Sequence, residues 1–367
     1  MMTQRRKGKK PRCRGAALIL AALMIVFLLG MAAFAVDIGY LFLVRTQLQV
    51  AADSGAMSGA ARLIESDAGV VATAQDFADR HLAGGRKVEL QPGDVEFGRW
   101  DFPARTFDPA AWRINAIRVT TRRDATSGGE ARLFFARVFG FDRQAVSAFA
   151  VAAFVDNFDG FAMPPTGENL PILPIAIHKD TCDAMLAETG TDQWSWDPED
   201  KEVTSGSDDV PEVNLYPQDT GAPGNFGTVK IGRTNNATPD LARQIRDGLT
   251  AEDLAPYDGS LSLDRHGVLE LGGDPGISGA IKDELAAILG EPRIAPVFDQ
   301  VTGEGSHAQY RIIRFVGIRV MEVELRGNTS NKRVVVQPAR VVVRGGPPSS
   351  EIQPRSYHVF SPVLLVR

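Results

Sequence analysis

Between Ala16 and Val36 the sequence AALILAALMIVFLLGMAAFAV runs for 21 residues without a charged side chain. A helix of that length rises about 31 Å, close to the ~30 Å hydrocarbon core of a bilayer. Seven basic side chains precede it within residues 1–14 (Arg5, Arg6, Lys7, Lys9, Lys10, Arg12 and Arg14), with no acid among them. Flanking charge of this kind keeps the N-terminal side in the cytoplasm. The sequence therefore reads as a basic cytoplasmic tail over 1–14 and a transmembrane helix over 15–36. That predicts a single-pass inner-membrane protein with its N-terminus cytoplasmic and its C-terminal body periplasmic or extracellular. A cleaved export signal is the alternative, because Ala33-Phe34-Ala35 has the small-x-small form that signal peptidase reads. Against it, the run exceeds the usual apolar region of about 7–15 residues in such signals.

The net charge of −5, from 40 Lys+Arg and 45 Asp+Glu, is then a sum over two compartments. The tail carries +7, and the remaining 353 residues carry 33 basic and 45 acidic side chains, a net of −12. An acidic exterior speaks against nucleic acid as a partner. With 44% hydrophobic and 23% charged residues the chain is neither disordered nor a multi-span membrane protein. Its length suggests two domains. Two cysteines exclude a disulfide-stapled scaffold. Cys13 and Cys182 fall on opposite sides of the membrane, and Cys182 reads as a buried thiol, not a nucleophile.

The anchor continues as a helix over 37–65. Leu41, Val44, Leu48, Ala51, Gly55 and Ser58 recur at steps of three and four, and no proline interrupts them. Large side chains give way to small ones, Ala51, Gly55 and Gly59 on one row and Ala52, Ala56 and Ala60 on the next. Glycine costs about 1 kcal/mol against alanine inside a helix, so close approach of another element must offset it. A first unit over 66–156 has a helix from Val70 to Leu82, ended by Gly84-Gly85, and strands at Asp94–Trp100, Arg113–Thr121 and Ala145–Val155. A further helix is expected over Glu130–Phe139, stopping at Gly140. Residues 157–170, rich in Gly, Pro and Asn, read as a linker. The second unit, 171–367, carries an acidic insertion over 190–227, a buried strand at Ile172–Ile177, and helices from Thr238 to Gly248 and from Ser278 to Leu289. Strand-like runs follow at Gln309–Leu325, Lys332–Arg344 and Ser356–Val366. The fold class is α+β, with a β-rich C-terminal half.

A search for chemistry returns no catalytic, cofactor or metal site. His81, His178, His266, His307 and His358 are scattered without metal-ligand spacing. No phosphate loop, GxGxxG or GxSxG occurs. Gly276-Ile277-Ser278-Gly279 comes near the last and reads better as a turn entering a helix. Asp258-Gly259-Ser260-Leu261-Ser262 satisfies DxSxS, the cation-binding pattern of von Willebrand A domains. It lacks a preceding buried strand, so a turn is the plainer reading. Asp197–Glu212 is acidic enough to attract calcium but lacks the alternating ligand pattern. Arg311, Arg314 and Arg319 alternate with apolar residues, as on the wet face of strands.

The stretch VDIGYLFLVRTQLQVAADSGAMSGA, Val36–Ala60, resembles the N-terminal anchor of TadG-like proteins of the Flp-pilus-assembly, or tight-adherence (Tad), family. The matching positions are Val36, Asp37, Gly39, Arg45, Leu48, Gln49, Ala51, Ala52, Asp53, Ala56, Gly59 and Ala60, with Gly55 in the same small-residue run. The likeness spans about residues 14–62, and no von Willebrand A domain is recognised. It implies a non-enzymatic envelope protein without cofactors, whose partners are the inner membrane and other pilus-assembly or pilin-like subunits. The fifth residue after Gly15 is Leu20, where prepilin-peptidase substrates carry Glu, so processing there is not expected. Two uses of the small-residue rows stay open. They could seat another subunit's helix, giving a homo-oligomer through residues 41–62, or they could pack on the chain's own body.

Overall fold

The computed structural model describes residues 14–215, 226–232, 238–275, 279–303, 307–325, 332–349, 351 and 353–367. Most of the basic tail, Cys13, part of the acidic insertion and the Gly276–Ser278 turn lie outside the described residues. The chain divides into two compact units, one running to Ala152 with Leu365–Arg367 added, the other Ala153–Leu364. The architecture is α+β.

In the first unit, helix α1 (Arg14–Glu65) runs for 52 residues. From Leu18 through Val36 its side chains are exposed, apart from a half-covered Ala33. From Val44 onward one face is buried, with Val44, Leu48, Ala51, Ala52, Ala56 and Ala60 all at 0% exposure. Each fully buried Val or Leu is worth about 1.5–3 kcal/mol. The cover comes from α2 (Val70–Asp79) and a sheet whose central strands are β1 (Val95–Asp101), β2 (Ala116–Arg123) and β3 (Val146–Ala153). Strand β2 alternates as a half-buried strand should. Ile117, Val119, Thr121 and Arg123 are buried, and Arg118, Thr120 and Arg122 are half-exposed. C-terminal residues complete this unit, where Val151 N donates to Arg367 O at 2.7 Å and Val366 N to Val151 O at 2.9 Å.

The second unit is built on β4 (Ile175–His178), β5 (Phe226–Val229), β6 (Leu269–Pro275), β7 (Pro292–Thr302), β8 (Ala308–Glu324) and β9 (Arg333–Pro338). Strands β8, β6, β5, β4 and β7 pair in that order, and β7 pairs back onto β8, closing a ring of five. Only β4 and β7 run parallel in that ring. Register shifts near Val297–Gln300 and Val320–Glu322 bend the long strands. Closure removes the unpaired edges that open sheets must otherwise protect. Alternate residues serve two cores. Ala176, Ile294, Phe298, Tyr310 and Ile312 join one, and Ile175, Ile177, Ala295, Val297 and Ile318 join the other. Helices α3 (Lys179–Leu186), α4 (Thr238–Asp247) and α5 (Lys282–Ala287) cover the second core through Cys182, Met185, Leu241, Ile245 and Leu285.

Several expectations are corrected. The 157–170 stretch is core, not a linker. Phe158, Phe161 and Leu170 are buried, Gly160–Ala162 pairs with Ser260–Ser262, and Phe161 meets Phe315 edge-on at 5.0 Å. Aromatic burial outweighs the local glycine and proline signal. The helix from Val70 stops at Asp79. Leu82–Ala83 and Arg86–Lys87 instead form a hairpin around Gly84 and Gly85, both at positive φ, as a two-residue turn requires. The helix expected over Glu130–Phe139 is a short strand, Ala131–Arg132, followed by a single 3-10 turn, Ala136–Phe139. The helix expected over Ser278–Leu289 shrinks to the 3-10 turn Gly279–Ile281 followed by α5. The run Ser356–Val366 breaks into three two-residue strands. Helix α4 stands as read, ended by Gly248 at φ +81, where a Cβ would come within 2.3 Å of Leu170 O.

Cys182 is fully buried on α3, and burial pushes its thiol up to about 11. A thiolate is the reactive form. In a Cys13→Ser background the native protein should therefore leave Cys182 unlabelled by a maleimide that modifies it fully after denaturation. Rapid native labelling would contradict the assigned burial.

Candidate functional site

The residues singled out in the sequence lie along α1, and the structure gives them different tasks. Asp37 follows the uncharged run directly and is 3% exposed. Its Oδ1 accepts from Phe134 N at 2.7 Å, and its Oδ2 accepts from Phe135 N at 3.0 Å and Ala136 N at 2.6 Å. These amides open the 3-10 turn Ala136–Phe139, so the carboxylate satisfies donors that a helix start leaves free. Burial pushes the carboxyl pKa up, but the three amide bonds outweigh it and hold the group below its ordinary value. One turn further along, Tyr40 meets Phe134 edge-on at 5.2 Å.

The small-residue rows are filled from within the chain. A Cβ on Gly59 would come within 2.3 Å of Ile117 Cδ1 and 3.2 Å of Ala74 Cβ. One on Gly55 would come within 3.1 Å of Ala74 O and 3.3 Å of Ala78 Cβ. Both glycines let α1 approach α2 and β2 closely, which offsets their helix cost. Ala51, Ala52, Ala56 and Ala60 are buried beside them, as is Leu48. Of the two uses open to these rows, the structure shows packing on the chain's own α2 and sheet. What stays exposed between 41 and 62 is Phe42, Leu43, Arg45, Thr46, Val50, Met57 and Ala61.

The remaining positions divide likewise. Gln49 Nε2 donates to Asp53 Oδ1 at 2.8 Å and to Phe149 O at 3.0 Å, tying α1 to β3. Val36 and Arg45 are exposed, and a Cβ on Gly39 would meet nothing within 4 Å. Sequence reasoning missed four partners. Gln47 Oε1 accepts from Gly84 N at 2.8 Å, and Thr121 Oγ1 donates to Leu48 O at 2.8 Å. Arg123 donates to Ala83 O at 2.6 Å and to Gly129 O at 2.7 Å, and Tyr40 packs on Phe134. Single polar or aromatic residues whose partners are distant in the chain give no periodic signal. Only Arg123, an arginine at an inward position of an alternating strand, could have been noticed.

The rejected sites acquire structural roles. Ser260 and Ser262 of the DxSxS pattern lie in an antiparallel strand with their Oγ atoms 2.5 Å apart. The acids of the insertion fold it. Asp192 accepts from Ser207 Oγ, Asp208 N and Asp209 N, and buried Glu212 accepts from Gln193 N and Trp194 N. His178 Nδ1 accepts from Asp180 N at the start of α3. Among the described residues no three His, Cys, Asp or Glu side chains gather as a metal site would require.

Two predictions follow from α1. Gly59→Val should lower stability by about 1–3 kcal/mol through overpacking, while Gly39→Ala should raise it by about 0.5–1 kcal/mol through helix propensity. Denaturant titrations in mild detergent would measure both, and equal effects would refute the packing assignment. Because the Asp37 pKa is depressed, its grip on the 134–136 amides should hold above the ordinary aspartate value near pH 4 and fail as pH falls through the folded-state value. Amide-exchange protection at Phe134, Phe135 and Ala136 should then drop in acid, and should be absent at all pH values in Asp37→Ala. Unchanged protection in that variant would show that other contacts hold the loop.

No curated protein and no solved structure matches the chain significantly. Two family models do match. One, described as Flp pilus-assembly TadE/G-like, covers residues 15–62. The other, described as Tad-like Flp pilus-assembly, covers residues 58–152. The second ends at Ala152, where the first compact unit gives way to the second. The matched region, residues 15–152, holds α1, α2 and β1–β3 with the loop that Asp37 caps, and over it the chain is similar to Tad-like Flp pilus-assembly proteins.

Proposed function

We propose that this chain is a non-enzymatic, membrane-anchored component of a Tad/Flp-type pilus-assembly or secretion apparatus. Its basic tail stays in the cytoplasm, α1 crosses the inner membrane once, and both units lie outside and act through protein–protein contacts. The observation that carries this reading is the double use of one helix. The exposed uncharged run and the buried face of the family-matched unit are parts of the same α1. The first unit therefore forms at the end of the span, where an assembly protein of the envelope would present it. The +7 tail supports the orientation. Contacts to other pilus subunits would use surfaces apart from the internally filled glycine rows.

A second reading is a secreted or surface-exposed binding protein whose N-terminus is removed as an export signal. It is favoured by Ala33-Phe34-Ala35 and by a second unit, Ala153–Leu364, that lies beyond the family matches.

Alkaline phosphatase fused after Arg367 should be active in cells, and its fusion within residues 1–14 inactive. The reverse pattern would overturn the orientation. Deleting the gene should reduce piliation, and the solubilised full-length chain should retain pilus components in a pull-down. Normal piliation with no component recovered would sink the assembly role. The intact mass of the mature protein separates the two readings, since cleavage after Ala35 would remove the anchor.

A further inference from the structure

Among the described residues outside the span, the largest run of exposed apolar side chains lies on the loop that Asp37 holds. Phe134, Phe135, Val138, Phe139 and Phe141 are all exposed, Val138 at 79% and Phe139 at 80%. Val138, Phe139 and Phe141 are as exposed as the bare anchor, where Leu18 is 73% exposed. Soluble surfaces rarely leave so many large apolar groups contiguous and uncovered. The chain itself fixes where the loop sits. Its amides at 134–136 are bonded to Asp37, the first residue after the uncharged run. Ala33, one turn deeper on the same helix face, is the single half-covered residue among 18–36. Exposed Arg132, Arg137 and Arg143 surround the aromatic residues, with Asp142 the acid between them.

We infer that loop 133–141 is a second membrane contact. Its phenylalanines and Val138 enter the leaflet from which α1 emerges, and its arginines reach the headgroups. This rests on α1 spanning a bilayer, as proposed above. Phenylalanine and aliphatic side chains bury at the headgroup–acyl boundary, and arginine stems can lie along acyl chains while their charge stays in the headgroup layer. Lipid is chosen over a protein partner because, at the depth set by Asp37, lipid adjoins every copy of the chain. A protein would have to be recruited there. With α1 as one anchor and the loop as another, the first unit could neither swing freely on the helix nor rotate about it.

The test uses the full-length chain with Cys13→Ser, placed in vesicles of phosphatidylethanolamine and phosphatidylglycerol. Nitroxide labels are attached at Phe139→Cys, at Leu28→Cys in mid-span, and at Glu65→Cys at the far end of α1. Collision with oxygen and with a water-soluble nickel chelate then reports depth. The Phe139 label should be at least five-fold less accessible to nickel than the Glu65 label while remaining accessible to oxygen. Adding Asp37→Ala should raise its nickel access toward that of Glu65. If the Leu28 label is protected but the Phe139 label behaves as the Glu65 label does, the loop contact is refuted and the span stands. If the Phe139 label is shielded from both reagents, protein covers the loop and the inference fails. A nickel-accessible Leu28 label would refute the span itself.

Discussion

The approach of α1 to α2 and β2 at Gly55 and Gly59 sets the geometry of the first unit. Ile117 and Ala74 fill the space that side chains at these positions would have taken, so α1 sits close against both elements. Asp37 lies 18 residues before Gly55, about five helical turns, so it faces the same way. The seating that buries Val44, Leu48 and Ala52 therefore also aims the Asp37 carboxylate at the amides of Phe134, Phe135 and Ala136. Tight packing at one end of the helix thus orders a loop at the other. Overpacking near Gly59 would be felt there too, since a rigid helix transmits rotation along its length.

The same helix is suited to two surroundings. Its first part suits hydrocarbon because it carries no charge and satisfies its own backbone. Its second part suits a protein interior because one face is small and apolar. No proline lies between Arg14 and Glu65, so no kink of the usual origin separates anchor from body. The charge division is consistent with this. A whole-chain value of −5 conceals +7 at one end and −12 beyond it.

Legibility differed with the range of the interactions. Helix α4 was readable from Thr238-Pro239 and Gly248, and β2 from its alternation, because cap chemistry and pleat period act over a few residues. The helix expected over Glu130–Phe139 is replaced by a short strand and a loop. Its many apolar residues give no polar face to test, and its conformation depends on Asp37, almost one hundred residues away. Residues 157–170 depart from the expected linker for a related reason. Glycine and proline signal a loop locally, whereas Phe158 and Phe161 are buried by strands contributed from residues near 261 and 315. The closed ring of the second unit depends on β7 pairing back onto β8, which no local pattern announces.

Of the thirteen positions marked along α1, the sequence located the face but left its partner undecided. By itself it determined the uncharged span, the charge asymmetry, the continuity of the helix and the small-residue rows, because these are properties of neighbours along the chain. Tertiary structure decided that α2 and β2 fill those rows, that Asp37 is a cap and not a surface charge, and that five apolar side chains on the loop it caps stay uncovered. Each of these depends on which distant segment arrives at a given helix face, and that choice is made by packing of the whole unit.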